Sequence, residues 1–335
     1  MKSRIILLAC FMMARVCSCD EDEGLNSHRI VRVTYTNGDY PENDYYQEFG
    51  YADNKLTSIT NYSKNDYGNW EESFLWEISY TENTATATRY DFENGYQDEY
   101  SKSEYQVQDG KIIEHHLYWW NDQTWENWAK WTFQYSGSDL ISYDYFYAPQ
   151  NVLELRGRGT FTYVDSRLME FLYLYDDGET GLQPNDKETF SYGDQGLSRY
   201  IDFNIDTNGG WVYGNRCDYS YAGNQLYKRT YTDWLEDNYS WDNVPYSTVN
   251  YSYDGNGYLI QKFYDDGDKY DYEYEEGHGN ARFFYYDPAD VRFQYPTIKS
   301  TRHSEPYLHY PGEPGMIPGR AIPGSIPEDS RMVIL

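Results

Sequence analysis

Apolar and aromatic residues alternate with polar residues in short runs through most of the chain, and short turns rich in Gly, Asn and Asp separate the runs. The clearest example is residues 251–259. There, Tyr251 and Tyr253 precede the turn Asp254–Gly257, and an apolar run restarts at Leu259. A period of two is typical of a strand with one buried face, and two such runs around a Gly/Asn turn are typical of a β-hairpin. This segment therefore predicts a hairpin.

The same hairpin pattern recurs eight times. Each copy has an anchor residue, an apolar or aromatic residue two positions before it, and a Leu, Ile or Ala five positions after it (six in the last copy). The anchors are Tyr51, Tyr80, Val107, Tyr135, Tyr163, Tyr192, Tyr221 and Tyr253. Successive anchors lie 29, 27, 28, 28, 29, 29 and 32 residues apart. Such regular spacing indicates a repeated structural unit.

Each unit predicts a strand, a four-residue turn such as Ala52–Lys55, a second strand and a longer polar loop, and helical periodicity is absent. We predict an all-β fold of about eight antiparallel β-hairpin repeats, with a period near 28, that form a large curved sheet or a soluble porin-like barrel. The predicted domain is 29–295. Further strands are predicted at Arg29–Tyr35, Lys269–Glu275, Ala281–Tyr286 and Val291–Tyr295. Repeated Pro and Gly predict a tail over 296–335.

The first residues resemble a bacterial lipoprotein leader. An apolar run from Ile5 to Val16 is too short to span a bilayer. The following Val16-Cys17-Ser18-Cys19 resembles a lipobox, so we predict a signal peptide at 1–18, lipidation of Cys19 and an acidic tether at 19–28. The acids Asp20, Glu21, Asp22 and Glu23 resemble the signal that exports Bacteroidota lipoproteins to the outer face of the outer membrane. Arg15 and Cys17 depart from the lipobox pattern, and secretion without an anchor is the alternative.

The body of the chain resembles two kinds of protein. Residues 251–259 are similar to the YD repeat of Rhs-type shells, although the other copies lack the Tyr-Asp pair and the period is longer. Residues 19–295 more closely resemble uncharacterised Bacteroidota surface lipoproteins with a porin-like domain of unknown function, through stretches such as Gln47–Tyr51 and Lys55–Ile59. This resemblance implies a curved antiparallel sheet at the cell surface, and it implies no activity.

Composition and charge narrow the possible partners. Tyr alone accounts for 41 residues while hydrophobic residues reach only 39%, so the core must consist largely of rings. A net charge of −28 repels phosphate backbones and anionic headgroups. We therefore expect no nucleic acid partner and contact with membrane only through a lipid anchor. A transmembrane barrel is not expected either, because neighbours such as Lys228 and Arg229 put charge on both faces of one strand. Cys217 is expected to be a packed thiol.

No catalytic, metal or cofactor motif stands out among the many acidic residues. Asp271 and Glu273 have the spacing of a glycosidase pair on one strand face, but a solvated acidic face opposite three tyrosines explains them better. His115 and His116 are adjacent on a strand and so diverge. We expect no catalytic residue, no metal, no cofactor and no enzymatic activity.

The tryptophans are the best functional candidates, since five of the ten lie within residues 119–131. Aromatic faces suit sugar rings, so Trp119, Trp120 and Trp128 are candidate ligand-stacking residues. Trp125 and Trp211 share a repeat position with leucines and are expected to pack in the core. The sequence thus predicts a surface-exposed bacterial lipoprotein that binds a partner without catalysis, with glycans as the first candidate. The alternatives are a structural or adhesive protein that contacts another surface protein and, third, a glycoside hydrolase.

Overall fold

The structure is a computed structural model that describes residues 28–276, except residues 54, 66, 94–95, 109–110, 122, 138, 166, 177, 207, 224 and 236–238. It contains nineteen strands: β1 (His28–Thr36), β2 (Tyr45–Ala52), β3 (Lys55–Lys64), β4 (Trp70–Tyr80), β5 (Thr84–Glu93), β6 (Tyr96–Gln108), β7 (Lys111–Asn121), β8 (Thr124–Ser136), β9 (Asp139–Tyr147), β10 (Glu154–Val164), β11 (Arg167–Tyr175), β12 (Gln183–Gly193), β13 (Gly196–Ile205), β14 (Trp211–Ala222), β15 (Gln225–Leu235), β16 (Ser240–Trp241), β17 (Ser247–Tyr253), β18 (Leu259–Tyr264) and β19 (Lys269–Glu276). Two short 3-10 turns occur at Pro41–Asn43 and Pro149–Asn151. None of the described residues belongs to a helix long and apolar enough to cross a membrane.

The strands form one antiparallel sheet that closes on itself. Neighbours in sequence pair with each other, and β1 pairs with both β2 and β19. The short β16 pairs only with the end of β15, and β15 pairs directly with β17, so the closed wall consists of the other eighteen strands. The predicted all-β array of antiparallel hairpins is confirmed. Of the two predicted forms, the structure shows the barrel.

Each of the eight predicted repeats is one hairpin, from β2–β3 to β17–β18. The two remaining wall strands, β1 and β19, close the barrel, and they match the strands predicted at Arg29–Tyr35 and Lys269–Glu275. The leader, Cys19 and the acidic residues after it, the strands predicted within 281–295 and the tail from Pro296 lie outside the described residues.

The anchor tyrosine explains the period, because it joins its own hairpin to the preceding one. The Tyr80 hydroxyl donates a hydrogen bond of 2.8 Å to the main-chain oxygen of Leu56, which belongs to the repeat before. Six more tyrosine hydroxyls donate to a main-chain oxygen in the same way. Donor and acceptor residues are Tyr51 to Ile30, Tyr135 to Ile112, Tyr163 to Leu140, Tyr221 to Leu197, Tyr253 to Leu226 and Tyr274 to Leu259. These hydrogen bonds lie near the same end of the barrel and connect each hairpin to the one before it. The anchor and the following Leu therefore recur as a pair.

A β-bulge accompanies the anchor in seven of the eight hairpins. In β8–β9, Tyr135 pairs with Leu140 but Gln134 pairs with Ser142, so Ile141 is an extra residue. Such a residue leaves the ladder and loses the alternation of faces. The extra residues of the seven hairpins are Thr57, Ile113, Ile141, Met169, Ser198, Tyr227 and Ile260. The bulge explains why three of them, Ile141, Tyr227 and Ile260, are exposed apolar residues on an otherwise alternating wall.

The interior of the barrel is filled by side chains. A circular barrel of this many strands would enclose an aqueous channel. Instead, the inward residues are buried, among them Trp76, Trp131, Tyr105 and Tyr200, each at most 2% exposed. The two inward glycines of β10, Gly157 and Gly159, leave the space that the rings of Tyr173 and Tyr143 occupy. The core is therefore aromatic, as the composition predicts.

The outward face is polar and charged, as at Glu77, Lys102, Arg158 and Asp218. This is the reverse of a transmembrane barrel, where a charge on the lipid face costs about 2–4 kcal/mol at the bilayer midplane for Lys or Arg. The prediction that Lys228 and Arg229 point to opposite sides is confirmed, since Arg229 is buried at 1% exposure while its neighbour is not.

Candidate functional site

The two ends of the barrel differ. At one end, here called the turn end, the hairpins close through tight turns such as Ala52–Lys55, where Asp53 has the positive φ of 49° that a two-residue turn requires. Strand β1 begins and β19 finishes at this same end, at His28 and Glu276. The other end, here called the loop end, carries the longer connections. The first and the last strand of the barrel therefore both connect to the rest of the chain at the turn end.

Eight of the ten tryptophans lie at the loop end. They stand at the first residues of β4, β8 and β14, at the last residues of β7 and β15, and on β16: Trp70, Trp119, Trp120, Trp125, Trp128, Trp211, Trp234 and Trp241. The other two, Trp76 and Trp131, are buried inside the barrel. An end that concentrates large half-buried rings is the candidate functional surface of the molecule.

Four rings form a continuous row on the inner rim of the loop end. Tyr100, Trp119, Trp128 and Tyr147 come from four consecutive strands, β6 to β9, and all are half-buried. Their successive ring centroids lie 4.4, 5.7 and 5.6 Å apart. The first and last contacts are edge-to-face, an arrangement that occupies only one face of one ring in each pair. This aromatic row is the candidate site.

Charged and amide groups flank the aromatic row. The guanidinium of Arg89 lies between the rings of Phe74 and Tyr100, at 4.5 and 4.6 Å from their centroids. Its Nε donates a hydrogen bond of 2.7 Å to Asp91, so this buried cation is held by a carboxylate. Between β7 and β8, Glu126 lies opposite Trp119. The Asn121 side-chain amide donates a hydrogen bond of 2.9 Å to the Glu126 carboxylate. The row is thus bordered by carboxylate and amide groups that can accept and donate hydrogen bonds.

The connection between β9 and β10 folds against the row. The main-chain nitrogen of Ala148 donates to the main-chain oxygen of Trp128 at 3.0 Å, and that of Asn127 donates to the Asn151 side chain at 2.7 Å. Gln150 and Asn151 adopt positive φ angles of 57° and 66°, which Asn tolerates better than most residues. The loop is thus held by the main chain of Trp128 and Asn127 and by the Asn127 side-chain amide, through hydrogen bonds that do not involve the Trp128 ring.

The predicted stacking residues separate into two groups. Trp119 and Trp128 meet on the inner rim, whereas Trp120 faces outward and packs at 4.8 Å against Trp125. As neighbours on one strand, Trp119 and Trp120 thus face opposite ways, and only Trp119 belongs to the aromatic row.

The expectation that Trp125 and Trp211 pack in the core is wrong. Both lie on the outward face and are only half-buried, with a lysine over each ring: Lys102 at 5.3 Å from Trp125 and Lys187 at 5.0 Å from Trp211. These lysines occupy ring faces that a ligand would need. The outward tryptophans are therefore weaker candidates for stacking than the aromatic row.

The two histidines diverge as predicted. His115 is buried between the rings of Tyr105 and Trp131, at 4.5 and 4.8 Å, and burial lowers its pKa to about 3. His116 faces outward, stacked on Tyr118, and its pKa is also lowered, by partial burial and by Lys130. The pair cannot chelate one ion, and no group of three or more His, Cys, Asp or Glu able to hold a metal occurs among the described residues.

The positions of Cys217 and of the acidic pair on β19 are explained by packing and by hydrogen bonds within the barrel wall. Cys217 is fully buried, and burial raises the pKa of its thiol to about 12, which makes it a packed thiol rather than a nucleophile. On β19, Tyr272 is buried while Asp271 and Glu273 face outward, as the alternation predicts. Asp271 accepts a hydrogen bond from Gln261 at 2.7 Å. This face carries ion pairs and hydrogen bonds of the wall.

Sequence reasoning missed Tyr100, Tyr147 and the charged residues Arg89, Asp91 and Glu126. One signal for Tyr100 was available, because it stands seven residues before an anchor, as Trp128 does. Tyr147 and Arg89 carry no such signal, since their positions depend on which strands lie side by side at the rim.

Comparisons with known proteins give no family. No protein-family model matches the chain, and no curated protein matches it. Solved structures with similarity include a porin-like protein from Bacteroides vulgatus, with 9% identity and a TM-score of 0.33 over 73% of this chain and 98% of that one. A protein of unknown function from Bacteroides fragilis has 9% identity and a TM-score of 0.20 over 51% and 89%. A DUF3836 family protein from Parabacteroides distasonis has 17% identity and a TM-score of 0.17 over 34% and 85%. Similarities of this size assign neither a family nor a function.

Proposed function

We propose that this protein is a non-enzymatic, surface-exposed lipoprotein whose barrel binds glycans at its loop end. The observation that carries the proposal is the aromatic row Tyr100–Trp119–Trp128–Tyr147, held on the inner rim of the end opposite to both chain termini of the barrel. Ring faces bind the C–H faces of sugars, and the flanking carboxylate and amide groups of Asp91, Glu126 and Asn121 suit sugar hydroxyls.

The position of His28 at the turn end supports a barrel whose loop end faces away from the membrane. The segment with the lipobox-like Cys19 precedes His28, which lies at the turn end. An anchor at Cys19 would therefore attach the barrel by its turn end and direct the aromatic row away from the membrane. The net charge of −28 supports the absence of a nucleic acid partner in the proposal.

Replacing Trp119 with Ala should weaken glycan binding at least about tenfold, since truncating a central aromatic anchor typically removes about 2 kcal/mol or more of binding energy. The measurement is a glycan array with the full-length protein, followed by titration calorimetry on the best sugar. Trp120→Ala is the matched control, because Trp120 is the next residue on the same strand and faces outward. Equal losses in the two variants, or no glycan bound by the wild type, would contradict the proposal.

Replacing Cys19 with Ala should abolish lipidation, whereas replacing Asp20, Glu21, Asp22 and Glu23 together with Asn and Gln should keep the lipid and lose surface exposure. Metabolic labelling with a fatty acid reports the first, and protease shaving of intact cells reports the second. A neutralised variant that is shaved as fast as the wild type would refute the export signal. A protein released unlipidated into the medium would favour simple secretion.

A structural or adhesive role is the second candidate, and the exposed tyrosines of the loop end favour it. Tyr67 is 89% exposed and Tyr239 84% exposed, both in connections between strands. Exposed aromatic residues are frequent at protein interfaces. Loss of adhesion to a partner surface on Tyr67→Ser and Tyr239→Ser, with glycan binding unchanged, would favour this role over the first.

A further inference from the structure

A second bulge recurs on the loop-end side of six repeats, always seven residues before the anchor. In β8, Leu117 pairs with Ala129 and Tyr118 with Asn127, which leaves Trp128 outside the ladder as an extra residue. The extra residues at this position, here called the rim bulge residues, are Ser73, Tyr100, Trp128, Arg156, Asn185 and Gly214. A bulge re-aims a side chain, and bulges are common beside functional sites.

The rim bulge residues differ in chemistry although their position in the repeat is constant. They supply a hydroxyl, a phenol, an indole, a guanidinium, an amide and no side chain at all. The anchor position, by contrast, holds Tyr in seven of the eight repeats, and the hydroxyls of Tyr80 and Tyr163 bond to a main-chain oxygen of the preceding repeat. The rim bulge residues have no residue directly opposite them in the strand ladder, as the strand register shows for Tyr100 and Trp128, and their type differs from repeat to repeat. Six of the eight repeats thus place a variable side chain at the rim.

Two of these residues belong to the aromatic row. Tyr100 and Trp128 are the first and third rings, and each contacts Trp119, at 4.4 and 5.7 Å between centroids. The neighbouring loop is held by the main-chain oxygen of Trp128 and not by its ring. A change of side chain at Trp128 would therefore change the surface of the row while leaving this main-chain bond in place.

The charges at this rim favour a neutral ligand. Arg89 already donates to Asp91 at 2.7 Å, and Arg156, the next rim bulge residue along the chain, donates to Glu154 at 2.6 Å. The chain as a whole carries 55 acidic against 27 basic residues. A uronic acid or a sulfated sugar would bring its charge to cations that carboxylates already neutralise, in a field that repels anions. A neutral sugar chain meets ring faces and hydrogen-bonding groups without this cost.

We propose that Tyr100 and Trp128, the two rim bulge residues of the aromatic row, determine ligand specificity and make the loop end select a neutral glycan. The proposal rests on the proposed glycan-binding function and names its ligand class and selecting residues.

The test exchanges residue types between repeats. Full-length wild type, Tyr100→Ser and Trp128→Arg, which carry the side chains found at Ser73 and Arg156, are titrated with neutral hexasaccharides of glucose, xylose and mannose and with a galacturonate hexasaccharide. We expect the wild type to bind at least one neutral sugar at least about tenfold more tightly than the galacturonate, and each variant to lose about tenfold or more of that affinity. Trp128→Tyr, which keeps an aromatic ring at this position, should retain most of the wild-type affinity. Unfolding temperatures should change by only a few degrees.

Three outcomes would overturn the inference. If Trp119→Ala abolishes binding while both bulge variants bind like the wild type, the function stands and the selecting role fails. If the galacturonate binds as tightly as the neutral sugars, the ligand class is wrong. If the wild type binds none of the sugars, the proposed function fails, and the inference fails with it. Should Trp128→Arg not fold, Tyr100→Ser decides the matter alone.

Discussion

Replacing Trp131 with Ala should lower the free energy of unfolding by about 3–5 kcal/mol, the range for truncating a large ring in a packed core. Trp131 is 2% exposed and stacks on His115 at 4.8 Å with an angle of 11° between the rings. Its other neighbour, Tyr145, lies at 5.2 Å on the next strand. The loss should be large because the walls of a closed barrel have little freedom to collapse into the space that the indole leaves.

Trp125→Ala is the matched control, since Trp125 lies on the same strand but on the outward face. Its removal exposes Lys102 and Trp120 to water that already reaches them, so we expect a change of about 1 kcal/mol or less. Urea unfolding followed by circular dichroism measures both variants. Equal losses for Trp131 and Trp125 would mean that the outward indoles hold the barrel as firmly as the core does.

The hairpins and their faces could be predicted because burial on one side of a sheet leaves a period of two in the sequence. The strand β19 shows this directly: Tyr272 is buried and its neighbours Asp271 and Glu273 face outward. The recurrence of the anchor could also be read, since in most repeats its Tyr hydroxyl bonds to the main chain of the strand pair before it. Closure into a barrel could not be decided, because it depends on β1 meeting β19 across most of the chain.

The location of Trp125 could not be predicted because a bulge reverses the alternation of faces. Trp125 stands ten residues before the anchor Tyr135, an even number that places both on one face of a regular strand. The extra residue Trp128 lies between them and shifts the phase by one. The same reversal places Trp211 outside, with the bulge at Gly214 before Tyr221. No residue type marks this bulge, so the sequence carries no sign of the reversal.

Two of the four residues of the aromatic row could be identified from the sequence. Trp119 and Trp128 could be singled out because tryptophans are rare and crowd into one stretch. Tyr147 could not be singled out among 41 tyrosines, and the only signal for Tyr100 is that it stands seven residues before an anchor. Only the order of β6, β7, β8 and β9 around the rim shows which tyrosines complete the row.

Stability should fall in mild acid because of His115. Burial lowers its pKa to about 3 in the folded protein, whereas the unfolded chain takes up a proton near the ordinary value of about 6.5. Between these two values the unfolded state binds one more proton, so stability falls as the pH falls. Between the two pKa values, the free energy of unfolding falls by about 1.4 kcal/mol for each unit by which the pH falls. His115 causes no change in stability well above pH 6.5, and no further loss below about pH 3.

The pH dependence of His115→Gln isolates this contribution. Gln does not titrate and can still bond with the Ser103 hydroxyl, which lies 3.0 Å from the His115 ring nitrogen. Because the carboxylates are common to both proteins, the difference in unfolding free energy between wild type and variant should be constant above pH 7. Between pH 6.5 and 4.5 the wild type should lose about 2 kcal/mol more than the variant. His116→Gln is the control and should show a smaller effect, since His116 is only partly buried. Parallel curves for wild type and His115→Gln would show that this imidazole takes up its proton in the folded barrel, and that its stack with Tyr105 and Trp131 opens to water.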